Sequence, residues 1–273
     1  MGSPLRAFCR LAAYLSLTFA LIPVQAVFLA LNSRRAKTLP TAFHRLCCRI
    51  LGLKLEIRGQ RVAHGPTLYI ANHTSYLDIT VLGAATQGSF VSKAEVRDWP
   101  LFGLLARLQR SVFVDRRTRE AGAHRDEIAR RLEGGDDLIL FPEGTSSHGN
   151  GTLPFKSALF SAAAIEVRGR PVIVQPVSVA YTRLDGMPLG RNLRPFYAWY
   201  GDMDLASHVL GVMALGTVTV VVEFHPPVAL PDFPNRKALA RHCESVIANG
   251  VAAALSGRTV PAPLPPAAAG RFA

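Results

Sequence analysis

TLYIANHTSYLDI, residues 67–79, sets an apolar run of five residues before a histidine and an aspartate five positions apart. On one α-helix a five-residue step turns the side chains by about 500°, which leaves His73 and Asp78 about 140° apart. On one strand an odd separation sends them to opposite faces. The two can meet only if a strand ends near Ala71 and the chain turns before a helix begins, with Asn72, Thr74 or Ser75 able to cap it. The stretch therefore reads as strand, loop and helix. An aspartate that accepts one ring N–H fixes the imidazole tautomer and frees the other nitrogen to act as a general base. This is the base-and-orienter half of a serine-protease triad, with no enzyme nucleophile required.

Working outward, similar apolar runs recur at 89–92 (SFVS), 111–115 (SVFVD), 137–141 (DLILF), 172–180 (VIVQPVSVA) and 218–224 (VTVVVEF). Several are apolar at consecutive positions, as strands buried on both faces are. Helical patterns at about 75–85, 98–109, 118–133, 155–168 and 235–255 lie between or after them. The expected fold is α/β, with a mixed, largely buried sheet flanked by helices. Three regions follow: an N-terminal membrane-anchoring helical part (1–55), the α/β domain (56–258), and a Pro/Ala-rich tail (259–273) of the composition that stays disordered. The domain includes an insertion at 183–217 that joins Phe196, Tyr197, Trp199 and Tyr200 to a long apolar stretch. It reads either as a loop with one core helix or as an element that covers substrate or touches a bilayer.

Leu11–Leu31 is uncharged and exceeds the roughly 20 residues that span a bilayer. A span, a re-entrant hairpin broken at Pro23, and a signal peptide cleaved near Val24-Gln25-Ala26 all fit this segment. The stretch Phe43–Leu53 suits a helix in the membrane interface, with Arg45 and Arg49 near lipid phosphates. Arg6 breaks the myristoylation pattern. The 273 residues are 49% hydrophobic, with 31 Lys+Arg against 19 Asp+Glu and a net charge of +12; mean hydropathy is +0.21. That excess favours an anionic partner. No nucleic-acid motif accompanies it, and the basic residues border apolar membrane-type segments, so a bilayer suits it and nucleic acid does not. Cys9, Cys47, Cys48 and Cys243 form no C-x-x-C pair, so neither a metal site nor a disulfide framework is indicated.

Two further stretches carry chemistry. LILFPEGTSS (138–147) opens a buried strand into Pro142-Glu143-Gly144-Thr145, a loop at a strand end where α/β proteins gather ligands. SVFVDRR (111–117) closes another strand with Arg116, which could fork onto a phosphate or onto Glu143. The order N-H-x4-D, F-V-x-R and F-P-E-G-T, each at a strand end, resembles the glycerolipid acyltransferase family, whose best-known members acylate lysophosphatidic acid. FVSKAEV with WPLFG (90–103) and VQPVSV (174–179) are similar to further blocks of that family, so the resemblance covers about 60–225.

The resemblance implies that His73 deprotonates the acceptor hydroxyl, which attacks the thioester of acyl-CoA or acyl-carrier protein, while Asp78 orients the histidine. It implies substrate-binding roles for Arg116, Glu143 and Gly144, with Lys93, Thr145 and Ser146 beside them in the same blocks. It implies no metal, no cofactor beyond the thioester co-substrate, and no covalent acyl-enzyme. The basic face of 116–131 reads as a solvated helix or as a dock for acyl-carrier protein or coenzyme A phosphates.

Two departures stand out. Phosphatidate-forming members usually read E-G-T-R-S where this chain has Ser146, and usually carry glycine where it has Arg110. Arg110, Arg117 or Lys156 could replace the lost cation. Otherwise the acceptor has no terminal phosphate. Residues 143–160 and 194–205 resemble bacterial relatives that acylate lyso-ornithine lipid, which implies an aminolipid acceptor at the cytoplasmic face of the bacterial inner membrane. A 1-acylglycerol-3-phosphate acyltransferase and a non-catalytic lipid-binding membrane protein are the alternatives. A hydrolase using Ser75 or Ser146 would lack the G-x-S-x-G elbow.

Overall fold

The computed structural model describes residues 2–63, 65–114 and 121–258, the side chains of 121–125 excepted. Ser3 Oγ accepts the Arg6 N–H and Pro4 fills the first turn, which starts helix α1 (Pro4–Ala30). α1 passes through Pro23 unbroken. The chain reverses later, at residues 31–34, where Asn32 takes a left-handed φ of 47°. α2 (Arg35–Leu51) then packs on α1 and ends at Gly52, whose φ of 74° is a left-handed helix stop. α1 and α2 thus form a helical hairpin whose turn lies at 31–34 and not at Pro23.

α1 is long and apolar enough to cross a membrane by length and composition. Both of its ends are nevertheless tied to the domain. Ser3 N–H donates to the Ala214 carbonyl, and the Arg10 guanidinium donates to Met213, Leu215 and Gly216 carbonyls. Near the other end, Gln25 Nε2 donates to Ala36 and Leu108 carbonyls at 3.0 and 2.8 Å. The helix thus lies along the domain and turns Leu5, Phe8, Phe19 and Val27 outward. An exposed apolar face of this kind marks a membrane or protein contact. Arg45 is exposed, and its Nε donates to the Ala84 carbonyl at 3.1 Å.

The sheet strands are β1 (Leu53–Gly59), β2 (Thr67–Ala71), β3 (Ser89–Lys93), β4 (Val112–Val114) and β5 (Leu138–Leu140). After a small ribbon of β6 (Glu166–Val167) and β7 (Arg170–Pro171) come β8 (Ile173–Leu184), β9 (Met187–Pro188) and β10 (Val218–Phe224). Their order is β1-β10-β8-β2-β5-β3-β4, with β9 on β8. β8, β2, β5, β3 and β4 pair in parallel, whereas β10 is antiparallel to β8, so the sheet is mixed. The consecutive apolar residues of β2 explain its burial on both faces. Tyr69 and Ala71 enter one core with α2, α3 (Leu77–Ala85) and α6 (Leu205–Ala214). Leu68 and Ile70 enter the other, with α5 (Ala121–Glu133) and α7 (Arg236–Leu255).

Local chemistry accounts for the departures from expectation. The helix expected at 98–109 splits at Pro100 and Leu101 (φ 59°) into a 3-10 turn, Ala94–Asp98, and the helix Phe102–Leu108. The expected helix at 155–168 is a 3-10 segment, Ser157–Ala164, that runs into β6. The insertion opens as a hairpin, because Asp185-Gly186 adopt φ of 49° and 85°, a primed turn that suits Asp-Gly. Residues 115–120 and 259–273 lie outside the described residues, and with them Arg116, Arg117 and the expected disordered tail.

Parallel pairing has one functional consequence. The C-terminal ends of β2, β5, β3 and β4 share one edge, so His73, residues 141–146 and Lys93 gather there.

Candidate active site

The chain leaves β2 at Ala71, loops through 72–76 and enters α3 at Leu77, which puts Asp78 in the first helical turn. Its carboxylate turns back toward the loop, where Oδ2 accepts N–H groups from Thr74 at 2.6 Å and Ser75 at 2.9 Å. The same oxygen lies 3.0 Å from His73 Nδ1, and Oδ1 accepts the Tyr181 hydroxyl at 2.8 Å. Asp78 is wholly buried, whereas the His73 ring is 22% exposed. A carboxylate held by three other donors presents only its lone pairs to Nδ1, so Nδ1 carries the ring proton and Nε2 is the free base.

His73 is held on three further sides. Its ring stacks on Phe141 with centroids 4.2 Å apart. Its backbone N–H donates to Glu143 Oε1 at 3.0 Å, and its carbonyl accepts the Ser147 N–H at 2.8 Å. One residue earlier, Asn72 bridges β2 to β8, donating to the Val179 carbonyl at 2.9 Å and accepting its N–H at 2.8 Å.

Glu143 stands differently from the substrate-binding role expected of it. It is buried, and its second oxygen accepts the Leu153 N–H at 3.1 Å. It does not line the cavity beside His73, whereas Gly144, Thr145, Ser146 and Lys93 do. Glu143 is therefore a positioning residue for the His73 backbone. Burial pushes its carboxyl up to about 8, against the pull of the two N–H donors. Between about pH 4.5 and 8 the folded protein then keeps a proton that the unfolded chain has released, so stability should fall as pH rises through that window. Glu143→Gln should flatten this slope, as chemical-denaturation curves from pH 5 to 8 would show. An unchanged slope would place the titration elsewhere.

The cavity holds about 540 Å³ and is mainly apolar. It runs from His73 and Phe141 past Phe90 and Ile79 to Tyr14, Leu21 and Ile22 of α1. An aliphatic chain fits such a space, and His73 is part of its lining. No group of His, Cys, Asp and Glu able to hold a metal occurs among the described residues.

Of the cations proposed to replace the missing loop arginine, Arg110 and Lys156 are placed elsewhere, and Arg117 lies outside the described residues. Arg110 binds Asp136 with both guanidinium nitrogens, at 3.2 and 2.6 Å, beside Arg131 and Lys37. Burial alone would raise the Asp136 carboxyl, but these three cations hold it at about 2. Arg110 also occupies a left-handed φ of 61°, a conformation that glycine takes without strain. Lys156 is exposed and lines no part of the cavity. Ser146 donates its hydroxyl to the Trp199 carbonyl and so fixes the aromatic insertion against the third loop. Tyr181 belongs to no short motif; Asn72 and Phe141 stand inside the N-H-x4-D and F-P-E-G-T motifs, but their contacts to Val179 and to the His73 ring have no sequence signature.

Together these features set a histidine oriented by a buried carboxylate beside a mainly apolar cavity, an arrangement that suits an enzyme acting on a lipid. The acyltransferase family profile matches residues 54–180. The chain is 45% identical to the lyso-ornithine lipid O-acyltransferase of Brucella abortus, over 96% of this chain and 99% of that protein. It is 42% identical to the lyso-ornithine lipid O-acyltransferase of Rhizobium meliloti, over 89% and 84% respectively. The crystal structure of the 1-acyl-sn-glycerophosphate acyltransferase of Thermotoga maritima shares the fold, with a TM-score of 0.60 at 22% identity over 92% of this chain and 100% of that one. The chain belongs to the acyltransferase family. It is an enzyme that moves an acyl group from a donor to a lipid acceptor.

Proposed function

We propose that this enzyme esterifies a hydroxyl of lyso-ornithine lipid, using a fatty acyl thioester of acyl-carrier protein or coenzyme A. The observation that carries the chemistry is the buried Asp78 carboxylate behind a half-exposed His73 at the head of an apolar cavity. Nε2 of His73 takes the acceptor hydroxyl proton as the oxygen attacks the thioester carbonyl. The carbon–sulfur bond then breaks, and the imidazolium returns its proton to the leaving thiolate. Thr145 and Ser146 have backbone N–H groups with no acceptor among the described residues and line the same cavity. They are the donors assigned to the developing oxyanion.

The identity of the lipid rests on the relatives named above and on Ser146. A lysophosphatidic acid acceptor would call for convergent cations; the hydroxyl of Ser146 is committed to Trp199 instead. A serine hydrolase is disfavoured by the same geometry. Ser75 Oγ accepts the Leu77 N–H, Ser146 Oγ donates to Trp199, and neither contacts His73. The acceptor is tested by lipid profiles of a deletion strain and its complement. Loss of ornithine lipid with accumulation of its lyso form supports the reading. Accumulated lysophosphatidic acid with unchanged ornithine lipid contradicts it.

We place the exposed face of α1 in the cytoplasmic leaflet, with Leu210 of α6 beside it. Deleting residues 1–55 would strip α2 from α3 and open the cavity, so point changes test attachment better. Phe8→Glu with Phe19→Glu should move the protein from the membrane to the soluble fraction while its thermal melt is retained. Both rings lie outward, and together they lose about 3–5 kcal/mol of apolar burial in lipid. Continued membrane attachment in high salt would shift that role to the 183–217 insertion.

A further inference from the structure

We infer that Trp99, Trp199 and Glu95, which line the cavity, form a binding site for the ammonium end of the acceptor headgroup, with Lys93 of the same lining to take its carboxylate. This inference rests on the aminolipid reading above and gives it a recognition element. An ornithine headgroup carries a carboxylate and a side-chain ammonium separated by the α-carbon and three methylenes. It is a spread zwitterion, unlike a phosphate, whose charge is concentrated and all negative.

The polar end of the cavity matches the zwitterion. Lys93 and Glu95 line it within three residues of each other and have opposite charges. Glu95 is exposed and makes no ion pair among the described residues. Arg97, on the same 3-10 turn, is spent elsewhere: its guanidinium lies over the Phe113 ring at 4.9 Å. A carboxylate in the lining of a lipid cavity that makes no ion pair among the described residues repels a phosphate and attracts an ammonium.

The aromatic wall supplies the second half of the match. Trp99, which is 42% exposed, meets Trp199 edge to face at 6.4 Å, and Tyr76 meets Trp199 the same way at 6.2 Å. Trp199 is held at three points. Its backbone N–H donates to the Thr74 carbonyl, its carbonyl accepts the Ser146 hydroxyl, and its indole Nε1 donates to the Met203 carbonyl at 2.9 Å. Tyr76 is pinned by His208, whose Nδ1 lies 3.0 Å from the phenol oxygen. With the indole N–H already used, Trp199 has only its ring face and edge to offer a ligand, and tryptophan is the best cation–π acceptor. Ser146 therefore does more than leave the loop without a cation: it fastens an aromatic surface to the third loop.

The test uses the full-length protein in detergent–lipid micelles with three acceptors: lyso-ornithine lipid, the same lipid acetylated on its side-chain amine, and lysophosphatidic acid. In the unmodified protein, acetylation should raise KM by about tenfold, the upper part of the range for a partly desolvated cation–π and carboxylate site. In Glu95→Gln and in Trp99→Leu, KM for the free amine should rise by a similar factor and acetylation should matter little. The effect should fall on KM rather than kcat. Equal KM values for the free and acetylated amine in the unmodified protein would overturn the inference, whether or not the variants fold. Transfer to lysophosphatidic acid alone, with neither ornithine lipid used, would instead overturn the acceptor reading beneath it.

Discussion

Replacing His73 by alanine should lower acyl transfer by about 10²- to 10⁴-fold, the range expected when a positioned general base is lost. The protein itself should stay folded. The ring is 22% exposed and its packing is mainly the stack on Phe141, worth about 0.5–1.5 kcal/mol. The backbone bonds to Glu143 and Ser147 do not depend on the side chain. Activity should therefore fall steeply while the melting temperature shifts by a few degrees, measured on the same purified sample.

Asp78 should behave differently, and the two substitutions there separate its roles. Asp78→Ala leaves the Thr74 and Ser75 N–H groups, the Tyr181 hydroxyl and His73 Nδ1 without their acceptor in a fully buried site. Each orphaned donor costs about 1–3 kcal/mol, so stability and activity should fail together. In Asp78→Asn, the backbone donors select the amide oxygen for the place of Oδ2, and the amide nitrogen can donate to the Tyr181 oxygen. The imidazole keeps its tautomer and loses only the charge that stabilises its protonated form. That charge is worth about 3–4 kcal/mol at an effective dielectric near 20, a loss of about 10²- to 10³-fold in rate with little loss of fold. A thermal melt of Asp78→Asn as low as that of Asp78→Ala would show that the oxygen does not take this position.

The sequence made the parallel half of the fold readable because β2 and β5 are apolar at consecutive positions, a pattern expected of strands covered on both faces. His73 and Asp78 were readable for the same reason: the strand end supplies the turn that lets a five-residue pair meet. What stayed hidden depends on distant contacts or on backbone angles. Tyr181 reaches Asp78 from 103 residues away, and Asn72 reaches Val179 from 107. The left-handed angle at Leu101 that divides the expected helix has no side-chain signature. Glu143 looked like a ligand for substrate because acids in strand-end loops often are, and only its burial reveals the Leu153 and His73 N–H groups it holds. Ser146 was visible as a departure, but its bond to Trp199 requires the insertion to fold back across 53 residues.

Direct transfer through His73, without an acyl-enzyme, is tested most directly by reconstitution. Purified protein and its His73→Ala variant, matched by melting temperature, would be mixed in micelles with lyso-ornithine lipid and a labelled acyl thioester. The expected result is labelled ornithine lipid from the unmodified protein, at least about 100-fold less from the variant, and no label on the protein chain by mass spectrometry. Equal product from both proteins, or an acyl group trapped on a serine, would contradict it.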